Sequence, residues 1–273
     1  MANKKKTKKV KVLVMTGFGL NCENETAAAF NHCGALAEKI HLNDLLSGER
    51  ALDEFEIFAF IGGFSFGDHL GAGTVLANRI KFRMKDALKK FIADGKLIIG
   101  ICNGFQTISR LGLLPALGGK YFVQQVALAH NDSGLFRDDW VHLKANPKSP
   151  CVFTKGLDMF RLPVRHGEGK LVADDAVMKK IISKNLYCLQ YCDEAGDVSA
   201  GFPFNPNGST MNIAGICDES GRIFGLMPHP EAYLSPYNAP DWTVKKIKGC
   251  LGKDGDGVKI FSNAVAYAKE NLI

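Results

Sequence analysis

The chain has 273 residues, 46% hydrophobic and 23% charged, a balance that excludes a disordered, collagenous or coiled-coil protein. Its formal charge of +6 is concentrated in Lys4, Lys5, Lys6, Lys8 and Lys9. Beyond that arm 29 basic residues stand against 28 acidic ones, which argues against nucleic-acid binding.

The elements are read in chain order. Residues 1–9 are expected to be a solvated, disordered lysine arm. Residues 10–15, apolar but for Lys11, read as a strand ending at Gly17-Phe-Gly19, and a helix is expected to begin at Glu23, with acids in its first turn. A second apolar run over 55–61 stops at Gly62-Gly63. Leu76, Ile80, Met84, Leu88, Phe91 and Ile92 then recur at helical spacing, with Gly95 as a C-terminal stop. Another strand over 96–101 leads into a helix over 104–111. Strand and helix in alternation predict an α/β fold: a mostly parallel central sheet with helices on both faces. From about Gln124 the pattern changes to strands separated by turns (140–144, 160–165, 186–192 and the hairpin 213–217 with 223–227), which predicts antiparallel additions in the second half. Residues 236–273 read as a C-terminal extension ending in a covering helix, leaving 10–235 as the main domain.

No run of 18 apolar residues occurs, and the N-terminal lysines are not followed by the apolar stretch of a signal peptide, so no membrane association and a cytoplasmic location are expected. The eight cysteines form no C-x-x-C pair and are expected as free thiols. Cys188 and Cys192 read as buried strand thiols and not as zinc ligands.

In a parallel sheet, ligands bind outside the carboxyl ends of the strands. Gly17-Phe-Gly19 is not a dinucleotide fingerprint, since position 22 is Cys, and no phosphate-binding G-x-x-x-x-G-K-[ST] occurs. Gly100-Ile-Cys-Asn-Gly104, between a strand and a helix, is a nucleophile elbow with sulfur in place of the serine oxygen. Cys102 would stand at a helix N-terminus, which favours thiolate. A thiolate nucleophile needs a histidine and an orienting acid, and H-x-[DE] occurs at His130, His166 and His229. Only His229-Pro-Glu231 directly follows an apolar strand and is framed by prolines, which hold the backbone extended and turn both side chains to one side. The backbone N–H groups of Asn103 and Gly63 are candidates for an oxyanion hole.

Gly62-Gly-Phe-Ser-Phe-Gly-Asp68, Gly100-Ile-Cys-Asn-Gly-Phe-Gln106, His166-Gly-Glu-Gly169, Asn205-Pro-Asn-Gly-Ser209 with Asn212-Ile-Ala-Gly215, and Met227-Pro-His-Pro-Glu231 together resemble the class I glutamine amidotransferases with their flavodoxin-like fold, specifically the PurQ type, the glutaminase subunit of phosphoribosylformylglycinamidine synthase. The resemblance runs from about Val10 to Tyr233. It implies Cys102 as nucleophile, His229 as general base and acid, Glu231 as its orienting carboxylate, and glutamine contacts from Gln106, Asn131, Ser133 and His166. It further implies a glutamyl thioester, ammonia delivered to a PurL-type synthetase with a possible PurS-type accessory subunit, and no metal or cofactor in this chain, ATP and magnesium belonging to the partner. Ala232 departs from the pattern, many relatives having Arg after the Glu. Similarity to the C-terminal domain of long single-chain synthases leaves the partner's length open. Two other readings are a cysteine hydrolase acting on another amide and a non-catalytic regulatory subunit.

Overall fold

The computed structural model describes residues 8–273. The lysine arm expected over 1–9 lies outside them except for Lys8 and Lys9, which are exposed. Strand β1 (Lys11–Thr16) leads through helix α1 (Glu23–His32) to β2 (Leu36–His41) and the short α2 (Leu42–Ser47). Then follow β3 (Ile57–Phe60), α3 (Thr74–Arg83), α4 (Lys85–Ala93), β4 (Leu97–Ile101) and α5 (Asn103–Arg110). β3 and β4 are apolar and buried along their whole length, as strands covered on both faces must be. β2, which no sequence signal announced, is the sheet's edge. Only Ile40 of its six residues is buried, so its composition need not be apolar.

The second half adds β5 (Val126–His130), β6 (Arg137–Ala145), β7 (Met159–His166), β8 (Glu168–Ala173), α6 (Asp175–Ser183), β9 (Tyr187–Cys192), β10 (Ile213–Cys217), β11 (Ile223–Leu226), α7 (Trp242–Ile247) and α8 (Val258–Asn271). Nine strands form one sheet in the order β2-β1-β3-β4-β11-β10-β9-β6-β7, and β5 and β8 pair separately. From β2 to β11 every neighbouring pair is parallel, and from β11 to β7 every pair is antiparallel. The architecture is the expected α/β one with antiparallel additions.

Helix α1 packs on β1 and β2 and carries α8, whose Phe261 ring meets Phe30 edge-on at 4.9 Å. Ile260, Phe261, Ala264, Val265 and Ala268 of α8 are all buried, so the covering helix shares the main core. Helix α5 packs on β3, β4 and β11 and carries α3. The periodic run 76–92 is two helices, not one. The chain leaves helical geometry at Met84 (φ −130°) while Met84 N still donates to Ile80 O, and no Gly or Pro marks the break. Gly95 ends α4 in the left-handed region, as its position predicted.

The pairing of β11 with β4 positions the site. Ile101 lies beside Leu226 in parallel register, so the residues after both strands, Cys102 and Met227, leave the sheet at the same edge.

Candidate active site

Cys102 occupies the turn between β4 and α5 with φ 51° and ψ −107°, a conformation that an L-residue adopts only when its surroundings enforce it. Its N–H donates to Leu226 O at 2.9 Å, tying the turn to the neighbouring strand. The elbow's glycines are there for close approach. A Cβ on Gly104 would lie 2.0 Å from Phe60 O, and one on Gly100 would lie 2.8 Å from Gly104 O. The Cys102 thiol lies 3.5 Å from Arg165 O, its hydrogen-bond acceptor. Asn103 opens α5, where a first-turn N–H has no intrahelical partner. The Leu20–Gly63 bridge is of the kind that leaves the Gly63 N–H unpaired, the flanking bonds running from Asn21 N to Gly62 O and from Phe64 N to Gly19 O.

Of the three histidine-acid pairs, the structure brings His229 and Glu231 to the elbow. His229 N donates to Pro163 O at 2.8 Å, and Nδ1 lies 2.6 Å from Glu231 Oε1, with both side chains buried. Burial by itself opposes protonation of His229. The Glu231 carboxylate and the Cys102 thiol outweigh it and raise the pKa well above the ordinary histidine value. Gly62 passes beneath this ring, and a Cβ there would lie 2.8 Å from His229 Cε1.

Two cavities meet at Cys102. The larger, about 200 Å³, is lined by Gly63, Phe64, Asp68, Cys102, Gln106 and His166 together with His130, Phe136, Arg165 and Glu168. The smaller, about 130 Å³, lies toward His229 and Cys22. Gln106 is clamped, its amide donating to Glu168 O and accepting from Asn103 Nδ2 at 3.0 Å, so it braces the cavity wall. His166 is buried, its Nδ1 3.1 Å from Asn131 Oδ1, and burial first and then the neighbouring His229 push its pKa down to about 4. That makes it a neutral wall residue at physiological pH. His130 stands exposed at the rim, 3.9 Å from Glu168.

Asn131 and Ser133 are not among the residues lining the cavity. Asn131 is buried behind it, donating to His166 O and Leu135 O, while Ser133 is exposed and accepts from Leu135 N. The Asn205–Ser209 and His166–Gly169 motifs lock together. Asn207 Nδ2 and Ser209 Oγ both donate to Gly169 O, and Leu171 N donates to Ser209 Oγ, which fixes the His166 to Gly169 turn against the cavity.

A CobB/CobQ-like glutamine amidotransferase domain matches residues 9–268. The chain belongs to this glutamine amidotransferase family. It is 45% identical over 262 residues to the phosphoribosylformylglycinamidine synthase subunit PurQ of Dehalococcoides mccartyi, covering 96% of this chain and 99% of the relative. To the same subunit of Methanococcus maripaludis it is 44% identical, covering 94% and 97%. Among solved structures it is similar to a chain of PurLQS from Thermotoga maritima, with 30% identity, a TM-score of 0.70 and coverage of 95% and 99%. The amidotransferase match spans residue 235, as does the packing of α8 on α1. No helix among the described residues is long and apolar enough to cross a membrane.

Cys22 is a site residue that sequence reasoning missed. It sits at the start of α1, at the carboxyl end of β1, and lines the smaller cavity beside His229. Burial pushes its thiol up. Its only sequence signal was its place after the first of the three strand-end loops. Asp68 and Glu168 also face the larger cavity. Burial raises the Asp68 pKa, against the hydrogen bond from Asn103 Nδ2 at 3.1 Å.

Proposed function

We infer that this chain is the glutamine-hydrolysing subunit of phosphoribosylformylglycinamidine synthase, supplying ammonia in purine biosynthesis to a PurL-type synthetase, with a PurS-type subunit as a further partner. The family membership and the PurQ relatives support this reading. The observation that carries the chemistry is the strained Cys102 elbow beside the buried His229–Glu231 pair.

In the mechanism we propose, His229 takes the Cys102 proton. Glu231 holds the ring through Nδ1 and stabilises the imidazolium, leaving Nε2 for the reaction. The thiolate attacks the side-chain carbonyl of glutamine bound in the larger cavity. The N–H groups of Asn103 and Gly63 receive the developing oxyanion. His229 then returns its proton to the departing nitrogen, ammonia leaves, and water hydrolyses the glutamyl thioester with His229 again acting as base. None of these steps calls for a metal or cofactor, and ATP and magnesium act on the synthetase.

Ammonia released into water at neutral pH is protonated and loses its nucleophilicity, so the cavity mouth should face the partner. The exposed Phe64 and Phe136, rings 6.1 Å apart, and the exposed Leu70 and Leu135 lie in the loops around that mouth, and burying them is what docking there would achieve. The expected location is the cytoplasm.

The test is labelling with a glutamine-analogue electrophile followed by peptide mapping. The expected result is a single adduct on Cys102, prevented by excess glutamine. Labelling that glutamine does not suppress, or that falls on another cysteine, would remove the support for this reading.

A further inference from the structure

Outside the active site, three thiols converge from three distant parts of the chain. Cys188 comes from β9, Cys217 from the end of β10 and Cys151 from the loop after β6. Their sulfurs all lie within 4.8 Å of one another, and all three residues are buried. All eight cysteines of the chain are free thiols.

A cysteine in a core commonly serves as a small apolar residue. This cluster is more polar than that role requires, because the Ser149 hydroxyl sits among the sulfurs, 3.5 Å from Cys188 Sγ and 3.8 Å from Cys217 Sγ. Ser149 also accepts from Cys151 N at 3.3 Å, which draws the loop that carries Cys151 over the strands. An ion bound at about 2.3 Å from each of three sulfurs would hold those sulfurs about 4 Å apart, within the spread observed. Thiolate sulfur selects soft ions over the hard oxygen-seeking ones.

Access is also built in. Ser149 and Cys151 line a surface cavity of about 560 Å³ together with Thr154, Asn263 and Tyr267, so an ion arriving from solvent would meet Cys151 first.

We propose that Cys151, Cys188 and Cys217 form a binding site for one soft d10 cation of the Cu⁺ or Zn²⁺ class. Binding displaces the thiol protons to solvent and forms three metal–sulfur bonds without any change of oxidation state. Three thiolates satisfy Cu⁺, whereas Zn²⁺ takes a fourth ligand, a water from the adjoining cavity. The proposal is independent of the glutaminase reading, since the residues belong to a separate cavity.

The experiment uses the full chain carrying Cys22→Ser and Cys102→Ser, so that active-site thiols do not contribute, stripped of metal and kept reduced with a phosphine. It is titrated anaerobically with Cu⁺ in one arm and with Zn²⁺ in the other, against competing chelators. The expected result is one equivalent bound in at least one arm, a rise in melting temperature on loading, and three sulfur scatterers by X-ray absorption at the bound metal. Adding Cys188→Ser or Cys217→Ala should weaken binding at least tenfold. Binding unchanged by those substitutions, or fewer than three sulfurs around the metal in the protein with all three thiols intact, overturns the proposal. So does no binding of either ion. The scattering measurement needs no cluster variant and therefore does not depend on whether one folds.

Discussion

Replacing Glu231 tests the pair on which the mechanism depends. Glu231 and His229 are buried and 2.6 Å apart, so their hydrogen bond is charge-assisted and shielded from solvent. Such a bond contributes about 1.5–3 kcal/mol, against about 1 kcal/mol for a neutral one. Glu231→Gln keeps an acceptor at nearly the same place but removes the charge, which should raise the barrier by about 1–2 kcal/mol and lower kcat about 5- to 30-fold. Glu231→Ala loses the bond as well and should cost about 100-fold or more. The pH profile carries a second signature. The carboxylate is the largest influence raising the His229 pKa against burial, so removing it lowers the value. The thiolate–imidazolium pair then dissociates at lower pH, and the alkaline limb of kcat/KM shifts downward. Glutamate release measured across pH, with ammonia-dependent synthesis by the reconstituted complex as control, reads both effects. A folded Glu231→Ala protein with less than a threefold loss and an unmoved alkaline limb would refute the assignment.

Cys102→Ser should abolish glutamine-dependent amidation and spare ammonia-dependent amidation by the assembled complex, and loss of both in an intact complex would place Cys102 outside glutamine hydrolysis. His166 has its pKa lowered to about 4 from 6.5, so the stability it confers is full above pH 6.5 and is lost as pH falls toward 4; that linkage is worth about 3 kcal/mol, and denaturant titrations at pH 6.5 and 4 should show a loss smaller by about that amount in His166→Asn. Phe261→Ala should destabilise the whole chain by about 3–5 kcal/mol in a single cooperative transition, because Phe261 packs on Phe30 inside the main core; a separate early transition would make residues 236–273 an independent extension.

Much of the site was legible because its signals are local. An apolar run, a glycine two residues either side of a cysteine, and prolines flanking a histidine each act within a few residues, through backbone sterics and turn chemistry. That sufficed for strands β1, β3 and β4 and the elbow at Cys102, and it picked out His229 and Glu231, although Pro230–Ala232 turn as a 3-10 helix in place of the extended backbone expected. It also sufficed for the stop at Gly95, where only the left-handed region continues the chain.

What the sequence left open depended on contacts between distant residues. Three H-x-[DE] pairs shared one motif and the flanking prolines singled out His229, but its place beside Cys102 follows from the register of β11 beside β4, which sets the residues after Leu226 next to those after Ile101. The break at Met84 had no local signal, and the edge strand β2 and the pairing of β5 with β8 depend on strands elsewhere in the chain. Asn131 and His166 both read as ligand contacts, and the tertiary structure gives them different places, His166 lining the cavity and Asn131 holding it from behind. Cys22 and the thiols at 151, 188 and 217 were single letters without spacing until folding brought them together. Local sterics and periodicity determine which elements form and where they stop, whereas which side chains meet is set by strand order and register, quantities that no window of sequence contains.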